Sequence, residues 1–337
     1  MIDVLFVIVP QSLLLDIAGP AEAFRLANQH RGRRGLAPRF RLRFTGPAPT
    51  EPTSVGLDLA GLLPLPERLS TPTWVVVVGQ PTEHLGRVTP AITTTANWLH
   101  RQMYGPLSDP DTKHRLVTIC SGTLLAARAG LLGTRCCTTH HELLDMLRSL
   151  APQAQVIENR VFVVDGALAS SAGITAGIDV ALHLIGEECG DALAASVAED
   201  MVVYLRRSAR DPEQSPFHMH RRHLHSAVHR VQDAIITTPE RDWNMTSLAE
   251  VGNTTERHLL RLFVDHARVS PLQYLRSIRL ERARQALEYG TTVTRAAQVA
   301  GFHSGLQLRR AWSREWGGSP RDVARATGPL QSIRGSR

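Results

Sequence analysis

The sequence predicts two unlike domains: an α/β layered domain with a mostly parallel sheet flanked by helices, then an all-α domain. Three observations predict this. Short apolar runs rich in Val, Ile and Leu alternate with helical stretches through the first half. From His223 onward the chain reads as helix and turn alone. The last hundred residues also contain an internal repeat, with the spacing of helix, tight turn and longer helix occurring twice.

The bulk properties agree with globular domains. The chain has 337 residues, 43% of them hydrophobic and 20% charged, enough for more than one core. The net charge of +7 is unevenly placed. From Arg206 to the end there are 22 arginines against 12 acidic residues, whereas the first 205 residues carry a net −3. Lys113 is the only lysine. A basic back half points to a polyanionic partner, with an arginine-rich composition as the plain alternative. Cys120, Cys136, Cys137 and Cys189 show no CxxC spacing, which fits a reducing compartment and no metal centre. The apolar run Val4–Leu15 is interrupted by Pro10 and is too short to span a bilayer, so no membrane role is expected.

Taken in order, Val4–Val9 reads as a buried strand, Asp16–Pro20 as a turn, and Ala21–Asn28 as an amphipathic helix. Arg31–Arg34 reads as a basic loop and Arg41–Phe44 as a second strand. The β-branched run Trp74–Val78, ending at Gly79, is the best central strand. A helix over Pro90–Arg101, a strand over Leu116–Ile119 and a turn at Cys120-Ser121-Gly122 follow. Val156–Ile157 and Val161–Val164 look like a pair around Glu158–Arg160. Ala167–Ser171 leads through Gly173–Gly177 into a helix ending near Glu188, and another helix is expected over Ala192–Arg206. Ser208–His220, with its Asp-Pro and Ser-Pro pairs, reads as a linker. The expected divisions are 1–190, 191–225, 226–327 and a flexible tail over 328–337.

In the C-terminal repeat, Leu248-Ala249 answers Ala296-Ala297 at an offset of 48. Leu259, Arg261, Phe263 and Ser270-Pro271 answer Leu308, Arg310, Trp312 and Ser319-Pro320 at an offset of 49. One residue is therefore gained at the turn. Ser304 is a good cap for a helix over Gly305–Trp316, with Leu306, Leu308, Ala311 and Trp312 available for a core face. A helix over Leu272–Glu288 joins the two copies, with Tyr274, Leu275, Ile278, Ala283 and Leu287 on one side.

This arrangement resembles the DNA-binding domain of the AraC/XylS family: two helix-turn-helix units joined by a long helix. The resemblance rests on Gly301-Phe302-His303-Ser304 and on the Ser-Pro pair after each second helix. It implies that Thr255–Val264 and Gly305–Arg314 are recognition helices entering successive major grooves. Arg257, His258 and Arg261 in the first, and Gln307, Arg309 and Arg310 in the second, are the expected base-reading residues. For any one of them a phosphate contact or a solvated position is the alternative, and His258 can also pack.

The first domain holds a second candidate site. A strand, then Cys120, then a helix is the form of a nucleophile elbow, which sets a thiol at a helix start where thiolate is favoured. His140 and His141 lie twenty residues on, and Asp16 follows the first strand. A nucleophile, a base and a carboxyl are thus available. The bland readings are a buried small Cys120, a structural His140, an exposed His141, strand packing for Cys136-Cys137 and packing or surface exposure for Cys189. The histidines His218, His220, His223 and His225 read as a solvated segment.

Residues 1–190 resemble the PfpI/ThiJ-like superfamily with the class I glutamine amidotransferase-like fold, of flavodoxin-like layering. The resemblance is carried by Leu15–Pro20, Ile119–Gly122, Ala129–Leu132, Thr138–His140 and Gly173–Asp179, and is close to the isocyanide hydratase branch. It implies that Cys120 matches that branch's nucleophile, Asp16 the carboxyl bonded to it and His140 the nearby histidine. Two departures stand out. Ser121 replaces the usual threonine, and Gly79-Gln80-Pro81 lacks the Gly-Gly pair that helps form an oxyanion site.

A first domain of this kind ahead of an AraC-type domain is similar to the arrangement of GlxA-type transcriptional regulators. That resemblance implies a bacterial, cytoplasmic, nucleoid-associated homodimer binding promoter or operator DNA, with RNA polymerase as a further partner. It also implies a small-molecule effector in the elbow pocket around Cys120, Asp16, Ser121 and His140, no cofactor and no enzymatic activity. The alternatives are a cysteine-dependent hydratase or amidase-type activity, or thiol redox sensing through Cys120.

Overall fold

The structure is a computed structural model that describes residues 1–173, 175–203, 220–221, 223–288 and 290–321. The chain divides into two compact units, Met1–Glu213 and Gln214–Arg337, each with its own cores. The expected linker Ser208–His220 apart from His220 itself, the last residues of the helix expected to end at Arg206, and the expected tail over 328–337 lie outside the described residues.

In the first unit the chain runs β1 (Ile2–Val7), α1 (Leu14–Arg33), β2 (Phe40–Gly46), β3 (Thr50–Pro52), β4 (Asp58–Ala60), β5 (Leu63–Pro64) and β6 (Thr73–Val77). It continues through α2 (Thr82–Leu85), α3 (Pro90–Ser108), β7 (Arg115–Ile119), α4 (Gly122–Arg128), β8 (Cys136–Cys137) and a 3-10 turn over His141–Leu143. Then come α5 (Leu144–Leu150), β9 (Gln155–Val156), β10 (Phe162–Asp165), β11 (Leu168–Ser171), α6 (Ala176–Cys189) and α7 (Asp191–Asp200). Seven strands form one sheet in the order β10-β11-β7-β6-β1-β2-β5. Every neighbouring pair in it is parallel except β10 with β11.

The continuous apolar strands have a simple cause: both sheet faces are covered. Val4, Phe6 and Ile8 of the first strand segment join Trp74, Val76 and Val78 under α1, α6 and α7. Leu5, Val7 and Val9 join Val75 and Val77 under α3 and α4 on the other face. Alternate residues thus serve opposite cores, and neither set can be polar. The chain steps from β1 to β2 on one side, then returns to β6 on the other side of β1. That reversal opens a crevice at the carboxyl ends of β1 and β6.

Several local expectations are corrected. Asp16–Pro20 is not a turn but the second half-turn and onward of α1. Pro20 withholds one helical N–H, yet the helix continues because Ile17, Ala23, Phe24 and Ala27 are buried against the sheet. Arg31 and Arg33 belong to the last turn of the same helix rather than to a loop. The segments around 156 and 161–164 do not pair with each other. Val156 pairs with Cys137 in a parallel two-stranded ladder, while β10 pairs with β11 over Phe162–Asp165. Proximity along the chain suggested a hairpin; the matched four-residue edge of β11 took β10 instead. The helix after Gly190 stops at Asp200, where Val202 turns to φ 55° and Val203 N–H bonds back to Ala198.

The second unit is helical: α8 (Ser226–Thr237), α9 (Met245–Gly252), α10 (Glu256–Leu262), a π turn over Phe263–Ala267, α11 (Pro271–Glu288), α12 (Val293–Val299) and α13 (Gly305–Trp316). It has two small cores. Tyr274, Leu275 and Ile278, from the first half of α11, pack with α8, α9 and α10. Leu280, Ala283 and Leu287, from its second half, pack with α12 and α13. One long helix is therefore shared by both repeat copies.

Candidate DNA-reading face and cysteine elbow

Each repeat copy builds its turn from local chemistry. Asn244 and Ser247 form a reciprocal capping box at the start of α9. Asn253 ends α9 in the left-handed region at φ 51°, and Gly301 ends α12 at φ 81°. Thr255 Oγ1 then accepts from His258 N–H at 3.3 Å, and Ser304 Oγ from Gln307 N–H at 3.2 Å, starting α10 and α13. The extra residue of the second copy lies between Gly301 and Ser304. Gly301 is required for more than its φ: a Cβ there would stand 2.7 Å from Pro239 O and Glu240 Cα.

On α10, Leu259 and Leu262 are buried, followed by Phe263; on α13, Leu308, Ala311 and Trp312 are buried. The opposite faces are in solvent. Arg257, His258 and Arg261 are all exposed on α10, as are Gln307, Arg309 and Arg310 on α13. His258 does not pack into the core. Its Nδ1 lies 2.9 Å from Arg261 Nη2, so the two side chains steady each other. Gln307 is also committed locally, its Oε1 accepting from His303 N–H at 2.8 Å. Leu306 departs from its expected core place: it is 54% exposed. Arg279 of α11 braces the unit by donating to Pro239 O and Arg241 O, both at 2.7 Å.

In the first unit the sheet topology brings three strand ends together. Asp16 comes from the first turn after β1, Gly79 and Gln80 follow β6, and Cys120 and Ser121 follow β7. Cys120 is a buried non-glycine residue at φ 54°, the strained conformation of an elbow. Gly122 makes the elbow possible, since a Cβ there would lie 2.2 Å from Val77 O. Gly79 has the same role opposite it: a Cβ would lie 2.8 Å from Asp16 Oδ2, 2.9 Å from Ser121 Oγ and 3.0 Å from Cys120 Cβ. These figures place Asp16, Cys120 and Ser121 around one glycine.

The two backbone N–H groups at the end of β6 are both engaged. Gly79 N–H donates to Asp16 Oδ2 at 3.0 Å, and Gln80 N–H donates to Ser121 Oγ at 2.6 Å. Ser121 in turn donates to Gln80 O at 2.8 Å. Asp16 is fully buried and, among the described residues, its Oδ1 has no hydrogen-bond partner. Burial pushes its carboxyl up to about 7, against the lowering effect of the Gly79 bond. His140 is half-buried, caps the 3-10 turn and lies ring to ring with His141 at 4.2 Å. Its neighbour Thr139 ties that segment to the elbow by donating to Cys120 O at 2.8 Å. Beside the elbow is a shallow open cleft lined by Gln80, Arg87, Ser121 and Arg128 over apolar Leu85 and Leu124; of the expected pocket residues Ser121 lines it, and Asp16, Cys120 and His140 do not.

Two family descriptions match the chain: a "Helix-turn-helix domain" over residues 248–326 and the "DJ-1/PfpI family" over residues 110–187. The regulator CdhR of Pseudomonas aeruginosa is 30% identical over 258 residues, covering 74% of this chain and 71% of CdhR. The chain belongs to the AraC-type helix-turn-helix transcriptional regulators with a DJ-1/PfpI first domain. The regulator GbdR of P. aeruginosa is 33% identical over 214 residues, 62% of this chain and 57% of GbdR. GlxA of Rhizobium meliloti is 29% identical over 218 residues, 64% of this chain and 66% of GlxA. The match thus spans a little over half of GbdR.

Within this AraC-type regulator, sequence reading missed Arg87 and Arg128 as neighbours of the elbow. Nothing in their spacing marks them; the sheet order alone brings them there. The histidines near residue 223 were also misjudged. The ring of His223 lies 4.4 Å from that of His229, and the ring of His225 4.7 Å from that of His266, so His223 and His225 pack against other rings where a solvated segment is expected. Burial lowers the affinity of His220 and His223 for protons. His218 lies outside the described residues. Cys137 is buried and Cys136 half-exposed, as adjacent residues of one strand should be. Among the described residues no group of three or more His, Cys, Asp and Glu is placed to hold a metal ion. No helix among them is long and apolar enough to cross a membrane.

Proposed function

We propose that the protein is a sequence-specific DNA-binding transcriptional regulator whose helices α10 and α13 read successive major grooves. The observation that supports it is the pair of capped helices, each buried by the same apolar triad position and each presenting arginines outward. In this reading Arg257, His258 and Arg261 contact one half-site and Gln307, Arg309 and Arg310 the other. A homodimer acting on RNA polymerase at promoters of the bacterial cytoplasm completes the proposal. Domain limits of 1–190 for the sensor and 226–327 for the reader are part of it.

The elbow is proposed as a binding site for a small-molecule effector, not a catalytic centre. Support comes from the two N–H groups that would polarise a substrate carbonyl: Asp16 and Ser121 already hold them. Among the described residues Asp16 Oδ1 has no hydrogen-bond partner, and the neighbouring cleft reaches the elbow at Ser121, so a ligand would approach the site from there. An effector binding there shifts the dimer between two spacings of its readers, which sets DNA affinity.

Genome-wide capture of bound DNA followed by fluorescence anisotropy on the recovered site tests the reading. Arg261→Ala and Arg310→Ala should each weaken binding about 5- to 100-fold, the worth of one bidentate base contact. Binding of wild type that is equal on the captured and scrambled sites would refute it.

A further inference from the structure

The two reading helices are not equivalent at their centres. Leu259 and Leu308 occupy matching buried positions, as do Phe263 and Trp312. At about 100° per residue, the residue two places before that leucine lies about 160° from it, in the middle of the outward face. In α10 that residue is Arg257; in α13 it is Leu306. Leu306 is 54% exposed, while the buried side of α13 is filled by Leu308, Ala311 and Trp312.

Two features make Leu306 the foremost group at the start of α13. The residue before it is Gly305, where α10 has Glu256, and a Cβ on Gly305 would meet nothing closer than Val293 Cγ1 at 3.9 Å. In Gln307, the residue after it, the Oε1 is held by His303 N–H, so the Nε2 is the end it can offer to the groove. A short apolar side chain, flanked by a bare glycine and an amide whose oxygen is held by the cap, stands at the front of a helix start where the next outward residues, Arg309 and Arg310, are charged. Leu306 cannot donate or accept a hydrogen bond. In the major groove the one apolar feature of a base edge is the C5 methyl group of thymine.

We infer that Leu306 reads a thymine methyl group, so that the half-site under α13 requires thymine where the half-site under α10 faces the guanidinium of Arg257. The inference rests on the proposal that α10 and α13 enter major grooves. Gly305 lets the helix start come close enough for a short side chain to touch the base. The operator is therefore asymmetric between its two half-sites, although the two readers are copies of one motif.

Deoxyuridine differs from thymidine only by that methyl group, which makes the test direct. Each thymine of the captured site is replaced singly by deoxyuridine and affinity is measured by anisotropy with the full-length protein. One replacement under α13 should weaken wild type about fourfold, the worth of one buried methyl group. Leu306→Ala should bind the thymine and uracil sites equally at that position, whereas Leu306→Met and Arg257→Ala should keep the discrimination. Circular dichroism melting of each variant checks that the fold is retained, as expected for an exposed side chain. No uracil-sensitive position under α13, or a sensitivity that survives in Leu306→Ala, overturns the inference while leaving DNA binding intact. A wild type that shows no site preference at all removes the DNA-reading proposal itself, and the inference with it.

Discussion

Asp16 shows how one residue is set by its surroundings. Its carboxyl is fully buried, one oxygen is bonded to Gly79 N–H, and the other has no partner among the described residues. Desolvation outweighs the single bond, and the carboxyl is raised from 3.8 to about 7. A raised carboxyl favours the folded state when protonated. Its stabilising contribution is complete below about pH 4 and is lost as pH rises towards 7, with a total on the order of 4 kcal/mol at most. Urea unfolding of the full chain at pH 5 and pH 8 should show this loss, and Asp16→Asn should flatten it. An unchanged pH dependence in Asp16→Asn would remove Asp16 as its source. Cys120 is the complementary case: its backbone, at φ 54°, is held in a region that side chains avoid, because β7 must end and α4 begin within two residues.

At the scale of elements, glycines and caps decide whether a motif closes. Gly122 allows α4 to start against Val77 O, with 2.2 Å left for any added Cβ. Gly122→Ala must displace backbone, so we expect a loss of more than about 3 kcal/mol, read as a lowered urea midpoint or as insoluble protein. The caps are gentler. Ser304→Ala removes the acceptor of Gln307 N–H and should cost about 1 kcal/mol in the second helical core, with Thr255→Ala similar in the first. Each change should lower affinity for the captured DNA less than Arg261→Ala or Arg310→Ala does. The helix boundaries show what local signals convey. Ser304 and Gly317 mark the ends of α13, and the sequence reading placed that helix over the same residues. At α1 the signals misled, since Gly19-Pro20 reads as a turn until the burial of Ile17, Ala23 and Phe24 is known.

At the scale of the whole molecule, charge and topology act separately. The excess of arginine in the second unit predicts binding that weakens steeply with salt. For six or more phosphates neutralised, affinity should fall on the order of a thousandfold between about 50 and 200 mM salt. A plot of log affinity against log salt measures it, and a slope near zero would contradict a phosphate-bound complex. Replacing a phosphate-contacting arginine should reduce that slope by about one, whereas Leu306→Ala should leave it unchanged. The sheet order supplies the other ingredient. Because β6 lies between β1 and β7, residues 16, 79 and 120 meet at one end of the sheet although the chain separates them widely.

Much of the protein follows from its sequence alone. Apolar runs with no polar alternation announce a sheet covered on both faces, and an offset of 48 to 49 residues announces two copies of one helical motif. Capping residues and glycines act within a few positions along the chain, so their effects can be read without the fold. Tertiary structure decided what depends on a second segment. It engaged the two N–H groups after β6 with Asp16 and Ser121, packed four histidines ring to ring, and turned Leu306 outward although its residue type suits a core. Residue type sets what a side chain can do, but only the elements packed around it fix its surroundings and the direction it faces.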